Sequence, residues 1–97
     1  MKLSEKIYAI RKTEGLSQRE FCNILNLSFS TLTKYETQCY EPSGSNLLKI
    51  TQHPQFEKYA LWLMTDKIAP ESGQIAPDLA RYGRKRIIYH RLRRKTG

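Results

Sequence analysis

The chain has 97 residues, 39% of them apolar, and carries a net charge of +8. A chain of this length folds as one domain with a modest core, which argues against a large enzyme cleft. Residues 1–78 hold nine basic and nine acidic side chains, whereas residues 79–97 hold eight basic side chains and no acidic one. The excess positive charge therefore lies in the C-terminal segment.

The sequence predicts neither a targeting segment nor a membrane span. No apolar stretch follows Met1, and the longest apolar run, YALWLM, is far shorter than the roughly 20 residues that cross a bilayer. Cys22 and Cys39 have neither the spacing of a metal site nor that of a secreted disulfide framework. We expect a cytoplasmic protein with reduced thiols and no membrane partner.

Between the residues that interrupt helices, apolar side chains recur with the spacing of α-helices. Ser4 is suited to cap a first helix, and Gly15 is a natural C-terminal stop for it. Ser17 and Glu20 have the Ser-x-x-Glu spacing of a capping box at the start of a second helix. Ser28 is in position to cap a third helix.

Two more helices complete the prediction. Ser45 or Asn46 starts the fourth, and Pro54, which suits a first helical turn, starts a fifth that runs to about Thr65. Strand-like alternation is not convincing anywhere before residue 80. We predict an all-α domain of five short helices over residues 1–66, followed by a linker and basic tail over residues 67–97.

The second and third helices are very close together in sequence, with only NLS between Leu25 and Phe29. Asparagine tolerates the left-handed backbone conformation, so Asn26 lets the chain stop one helix and reverse direction within three residues. Two helices that cross closely need a small side chain at the crossing, and Cys22 behaves as a small hydrophobic residue. The spacing is that of a helix-turn-helix.

The stretch GLSQREFCNILNLSFSTLTKYE resembles the lambda-repressor-like helix-turn-helix regulators, also called the Cro/CI or XRE family. The resemblance covers residues 3 to about 65 and includes the Leu-Ser-Gln start, the turn and the Glu that ends the third helix. Three positions depart from the family pattern, because Cys22 stands where Ala is usual, Asn26 where Gly is usual and Phe29 where a polar residue is common. The resemblance implies a five-helix, DNA-binding transcriptional regulator.

The resemblance also implies that the third helix enters the major groove of double-stranded DNA. Gln18 would bind a phosphate, Lys34 is the best candidate for reading a guanine, and Phe29 can pack on a thymine methyl group. The alternative interpretation is that the polar side chains of the third helix only face solvent. The candidate DNA-binding residues on these helices are Gln18, Ser28, Phe29, Ser30, Thr31, Thr33, Lys34, Thr37 and Gln38.

Two further predictions concern charged residues. The resemblance points to an ion pair between Arg11 and Glu36 that fixes the third helix to the first, although two independent surface charges are the alternative. Arg84, Lys85 and Arg86 in the tail are candidate phosphate contacts, because the rest of the chain has balanced charges. The alternative is a tail that only increases solubility.

The fifth helix is apolar nearly all round, so it needs burial on two sides. One side is assigned to the core through a stripe made up of Phe56, Tyr59, Ala60, Leu63 and Met64. The family commonly dimerises near this helix, which implies a homodimer that places two recognition helices one DNA turn apart on an inverted repeat. The residues assigned to that interface are Leu61, Trp62 and Ile68, with coverage of Trp62 by the chain's own tail as the alternative.

No nucleophile elbow, phosphate loop, metal cluster or suitably spaced pair of carboxylates is present in the sequence. We therefore expect no enzyme activity, cofactor, metal or small-molecule ligand. The leading hypothesis is a repressor of phage or mobile-element type. The alternatives are the antitoxin of a toxin–antitoxin pair that regulates its own operon, and a protein-interaction module whose reading head is vestigial.

Overall fold

The computed structural model describes residues 1–38 and 40–83. The helices of this part are α1 (Leu3–Thr13), α2 (Gln18–Leu25), α3 (Phe29–Gln38), α4 (Gly44–Thr51) and α5 (Ala60–Thr65). The short turns are a 3₁₀ turn at Glu57–Tyr59, a second at Pro70–Ser72 and a π-helical turn at Leu79–Gly83. The described residues contain no β-strand beyond one isolated bridge, so the prediction of an all-α fold is confirmed.

The start of α1 differs from the prediction. The helix begins at Leu3, and the backbone N–H of Lys2 donates to the carboxylate of Glu5 at 3.0 Å. Ser4 is buried inside the first turn, and its hydroxyl has no hydrogen-bond partner in the described part of the chain. The prediction of Ser4 as the N-cap is wrong, because Ser4 already lies inside the helix and Lys2 is the N-cap residue, whose N–H is satisfied by the Glu5 carboxylate.

The α2–turn–α3 unit agrees with the sequence prediction. The Ser17 hydroxyl accepts from the Glu20 N–H at 3.1 Å, while the Glu20 carboxylate accepts from the Ser17 N–H at 2.9 Å, so both halves of the capping box form. Asn26 ends α2 in the left-handed conformation, with φ 53° and ψ 49°. The Ser28 hydroxyl accepts from the Thr31 N–H at 3.0 Å and caps α3.

The later helix boundaries are shifted. Ser43 rather than Ser45 or Asn46 caps α4, and its hydroxyl accepts from the Asn46 N–H at 3.2 Å. Pro54 lies in a turn instead of starting a helix, and α5 begins six residues later at Ala60. The turn places the ring of Phe56 in the core before the helix starts.

The core lies where α1, α2, α3 and α5 meet, and its aromatic side chains are closely packed. Phe21 and Phe56 contact each other edge to face with ring centroids 5.2 Å apart. Met64, which the sequence analysis assigned to the core stripe, is 55% exposed, because α5 is short and only one of its faces meets the domain. The fully or nearly buried apolar residues are Ile7, Ala9, Ile10, Phe21, Cys22, Leu25, Leu32, Tyr35, Ile50, Phe56, Tyr59, Trp62 and Leu63.

The segment after α5 folds back onto the domain. The Ile75 N–H donates to the Lys58 carbonyl at 2.8 Å, and the Asp78 N–H donates to the Thr13 hydroxyl at 3.0 Å. Leu79 and Tyr82 pack against the core. Residues 69–82 are therefore part of the folded domain, and their assignment to a linker is wrong because apolar side chains and backbone hydrogen bonds hold them against α1 and the Glu57–Tyr59 turn.

Candidate nucleic-acid interface

The helix α3 has one buried side and one exposed side. Leu32, Tyr35 and Glu36 face inward and are each at most 5% exposed. The residues classed as exposed on this helix are Phe29, Ser30, Lys34, Thr37 and Gln38, while Thr31 and Thr33 are half-buried and the capping residue Ser28 is exposed. The division between the two sides is the one that the sequence predicts for a helix packed on a scaffold.

A buried polar network fixes α3 to the helices behind it. Arg11 Nε donates to Glu36 Oε2 at 2.8 Å and Arg11 Nη2 donates to Glu36 Oε1 at 3.0 Å, which makes the pair bidentate. Arg11 Nη1 also donates to the Leu16 carbonyl at 2.8 Å. The predicted pairing of Arg11 with Glu36 is therefore present, and it is buried rather than a pair of independent surface charges.

Gln18 joins the same network. Its Nε2 donates to Glu36 Oε1 at 2.9 Å, so one of its two amide protons is used inside the protein. The second amide proton and the backbone N–H groups at the start of α2 remain the donors that a phosphate would meet. Its role as a phosphate contact stays a prediction.

Cys22 lies where α2 and α3 cross, and it is 5% exposed. Its thiol contacts the Ser28 carbonyl at an Sγ–O distance of 3.7 Å. Burial, and then the neighbouring Glu36 carboxylate, raise the pKa of the Cys22 thiol above its ordinary value. The thiol is protonated at neutral pH and acts as the small packing residue that the crossing needs.

Several hydroxyls on α3 are already engaged inside the helix. Thr33 Oγ1 donates to the Phe29 carbonyl at 2.8 Å, and Thr37 Oγ1 donates to the Thr33 carbonyl at 2.7 Å. The Ser28 hydroxyl donates to Thr31 Oγ1 at 2.6 Å. In this arrangement Thr33 and Thr37 offer a DNA ligand an acceptor oxygen but not a proton.

Two basic residues beside α3 were missed by the sequence analysis. The guanidinium of Arg19, on α2, lies 4.7 Å from the centroid of the Phe29 ring. Lys49, on α4, donates from Nζ to the Asn26 carbonyl at 2.9 Å. A basic residue directly after Gln18 was the available signal for Arg19, whereas no sequence pattern placed Lys49 beside the turn.

The residues assigned to a subunit interface do not share one environment. Trp62 is 4% exposed within the single chain, and the Lys6 ammonium lies 5.2 Å from its ring centroid. Its assignment to a subunit interface is therefore wrong, because the side chain is already covered by its own chain. Leu61 is half-buried and Ile68 is 52% exposed.

One exposed apolar surface of the described residues lies between α4 and α5, away from the buried Trp62. Leu48 and Met64 are 52% and 55% exposed and lie on opposite sides of this space. It forms a groove of about 400 Å³, which we call the α4–α5 groove, lined by Gly44, Leu47, Leu48, Thr51, Ala60 and Met64.

Within residues 1–38 and 40–83, no helix is long and apolar enough to cross a membrane, and no three His, Cys, Asp or Glu side chains form a possible metal site. The predicted tail contacts Arg84, Lys85 and Arg86 lie outside the described residues.

Comparison with known proteins covers the two-helix unit together with most of the domain around it. A family model described as helix-turn-helix matches residues 7–56. The chain belongs to the helix-turn-helix family. It is also similar to Repressor protein C of Escherichia phage P2, with 42% identity over 95 residues that cover 98% of this chain and 96% of the relative. The resemblance to lambda-repressor-like regulators is thereby confirmed, and the match to a repressor supports a DNA-binding regulator rather than an enzyme.

Proposed function

We propose that the protein is a sequence-specific, DNA-binding transcriptional repressor of phage type, with α3 as its recognition helix. The observation that carries the proposal is the exposed face of α3, held in place from behind by Arg11, Glu36 and Gln18. A helix fixed in this way presents Ser30 and Lys34 in a constant orientation. Recognition of base edges requires this constant orientation, because the donors and acceptors in the major groove have fixed positions.

Selection of bound sites from random duplexes tests the proposal. The protein should enrich one motif, and Lys34→Ala and Ser30→Ala should each weaken binding to it by about 1 to 3 kcal/mol where the side chain reads a base. Gln18→Ala should weaken binding to the selected and a scrambled duplex through the lost phosphate contact, with a further decrease on the selected duplex because the hydrogen bond to Glu36 is also lost. Lys67→Ala removes the same charge from an exposed lysine outside α3 and serves as the control for Lys34→Ala.

Equal decreases in affinity on both duplexes for the two α3 variants would contradict the assignment of α3 as the reading element. Failure to enrich any motif would contradict sequence-specific binding altogether and favour a protein-interaction module.

The homodimer also remains a proposal, and the α4–α5 groove is the surface that we assign to it. Exposed apolar patches mark protein–protein contacts, and this groove adjoins the helix that the sequence analysis assigned to dimerisation. A two-fold dimer on DNA calls for an inverted repeat with half-site centres about 10 base pairs apart.

Sedimentation of a Met64→Lys variant tests the surface. The variant should sediment as a smaller species than the unchanged protein, while Ile75→Lys, at an exposed isoleucine that does not line the groove, should not. Comparable binding to direct and inverted half-site repeats would contradict the two-fold arrangement.

The basic C-terminal tail is proposed to increase the affinity for DNA through its positive charge. Ending the chain after Gly83 removes seven basic residues and leaves ten basic and nine acidic ones, while it keeps Leu79 and Tyr82, which pack against the core. For every phosphate that the tail neutralises, this truncation should reduce the slope of log affinity against log salt by about 0.9. An unchanged slope would show that the tail neutralises no phosphate.

A further inference from the structure

The base-reading end of α3 begins with a residue that cannot form hydrogen bonds through its side chain. Phe29 is the first residue of α3 and is 40% exposed, so its ring projects from the helix beside Ser30. A phenyl ring contributes only apolar contact to a base pair, and the apolar feature of the major groove is the thymine methyl group. Phe29 alone therefore distinguishes a thymine but supplies no donor.

Arg19 brings the missing donors to the same place from the other helix. Its guanidinium carbon lies 4.7 Å from the Phe29 ring centroid, which is within the range of a cation–π contact. A guanidinium stacked on a ring keeps its N–H groups in its own plane, where their edge is free to meet an acceptor. The stack thus places a donor edge beside an apolar face.

The charge of Arg19 is not neutralised by its neighbours in the described part of the chain. The carboxylate of Glu20, next in sequence, accepts from the Ser17 N–H. The carboxylate of Glu36 is held by Arg11 and Gln18. No ion pair or hydrogen bond from the Arg19 guanidinium is found among residues 1–38 and 40–83, so its donors are available to a ligand.

We propose that Arg19 and Phe29 form one reading unit for a thymine next to a guanine. The Phe29 ring packs on the thymine methyl group, and the Arg19 guanidinium donates two hydrogen bonds to O6 and N7 of the guanine. The cation–π contact favours a base edge over the phosphate backbone as the ligand of Arg19. It holds the Arg19 guanidinium against Phe29, whose ring points outward from α3. This inference rests on the proposed function, since it requires α3 to lie in the major groove.

The test begins with the duplex selected by the full-length protein and alters single atoms of its bases. Replacement of the guanine by 7-deazaguanine removes the N7 acceptor, and replacement of the thymine by deoxyuridine removes the methyl group. The two matching protein variants are Arg19→Met, which can still pack on the ring but cannot donate, and Phe29→Ser, which removes the ring. Affinities are measured for every pairing of protein and duplex.

Arg19→Met should weaken binding to the unmodified site about 5- to 150-fold, the factor that a bidentate arginine–guanine contact provides. The unchanged protein should lose affinity with either modified duplex. The 7-deazaguanine effect should disappear in Arg19→Met, and the deoxyuridine effect should disappear in Phe29→Ser.

A matched control is available elsewhere in the chain. Arg81 also lies over an aromatic ring, with its guanidinium carbon 5.5 Å from the Tyr82 centroid, in the segment that packs on α1. Arg81→Met removes the same charge and the same type of stack, and it should leave both base-atom effects intact.

Three results would overturn the proposal while leaving the proposed function standing. They are a selected motif without a thymine–guanine step, base-atom effects that persist in Arg19→Met and Phe29→Ser, and an Arg19→Met variant that binds selected and scrambled duplexes equally weakly with a reduced salt slope. The last result would assign Arg19 to a phosphate. Selection of no motif at all would overturn the proposed function together with this inference.

Discussion

Two buried cations on α1 hold two different helices, and they do so in different surroundings. Arg11 is paired with Glu36, and both side chains are less than 10% exposed. Lys6 is equally buried, but its Nζ donates to the carbonyls of Trp62 and Leu63 at 3.1 Å, and its acidic partner Asp66 is 70% exposed. Arg11 therefore depends on a buried charge, whereas Lys6 depends mainly on the C-terminal carbonyls of α5.

The largest effect should follow from breaking the ion pair behind α3. Glu36→Ala leaves the Arg11 guanidinium buried without a countercharge and removes the acceptor of Gln18. The decrease in the free energy of unfolding should be about 3 to 5 kcal/mol. Chemical denaturation monitored by circular dichroism measures it.

The double variant Arg11→Met with Glu36→Met is the control for this prediction. It removes both charges and replaces them with apolar side chains of similar length, so most of the stability should return. A double variant as unstable as Glu36→Ala would show that the network acts through hydrogen bonds to Leu16 and Gln18 rather than through the charge pair.

Lys6→Met should have the next largest effect. The methionine retains the apolar stem beside Trp62 but donates nothing to the two carbonyls at the end of α5. Burial of an unsatisfied polar group costs about 1 to 3 kcal/mol, and the same denaturation experiment measures the decrease in stability. A neutral result would mean that the dehydration of the ammonium offsets both of its hydrogen bonds.

The helix-turn-helix could be predicted from the sequence because its determinants are local. The capping box of Ser17 and Glu20 and the left-handed Asn26 act within four residues, and both are found as predicted. The boundary of α5 was not predictable in this way, since it depends on the burial of Phe56 against Phe21, which is distant in sequence.

Contacts between distant residues were also not predictable at the candidate site. The exposed and buried sides of α3 follow from helical periodicity, so residues such as Lys34 and Leu32 were assigned to the correct sides. The coverage of Trp62 involves Lys6 on a distant helix, and the stack of Arg19 on Phe29 depends on how two helices cross. Periodicity of a single helix contains no information about either contact.

The environment of Glu14 is intermediate between those of Glu36 and Asp66, because its side chain is 14% exposed. Its carboxylate accepts from Tyr59 Oη at 2.6 Å and from Gln55 Nε2 at 3.3 Å, and it pairs with Lys58 at 3.1 Å. Partial burial acts to raise the pKa of Glu14, but these hydrogen bonds outweigh it and hold the pKa below its ordinary value of 4.5.

A carboxylate whose pKa is lower in the folded state contributes stability above its unfolded pKa and loses it as the pH falls. The difference in unfolding free energy between the unchanged protein and Glu14→Gln should therefore be constant near neutrality and shrink below about pH 4.5. Urea titrations between neutral pH and pH 3 measure the difference. A difference that grows on acidification would contradict the assigned direction of the pKa shift.

Asp66→Asn should have the smallest effect, because it removes the exposed member of the Lys6 pair and leaves both carbonyl hydrogen bonds in place. Asparagine also tolerates the left-handed backbone of Asp66, whose φ is 64°, so the change tests charge without adding strain. The hydrogen bond and the charge of Lys6 lower the pKa of Asp66, so the contribution of the Asp66 carboxylate to stability is present near neutrality and lost as the pH falls through the folded pKa.

The urea midpoint of Asp66→Asn at neutral pH should move less than that of Lys6→Met. Added salt should shrink the difference between Asp66→Asn and the unchanged protein further. A decrease as large as that of Lys6→Met would show that Lys6 depends on the carboxylate, and the contrast with Arg11 would then fail.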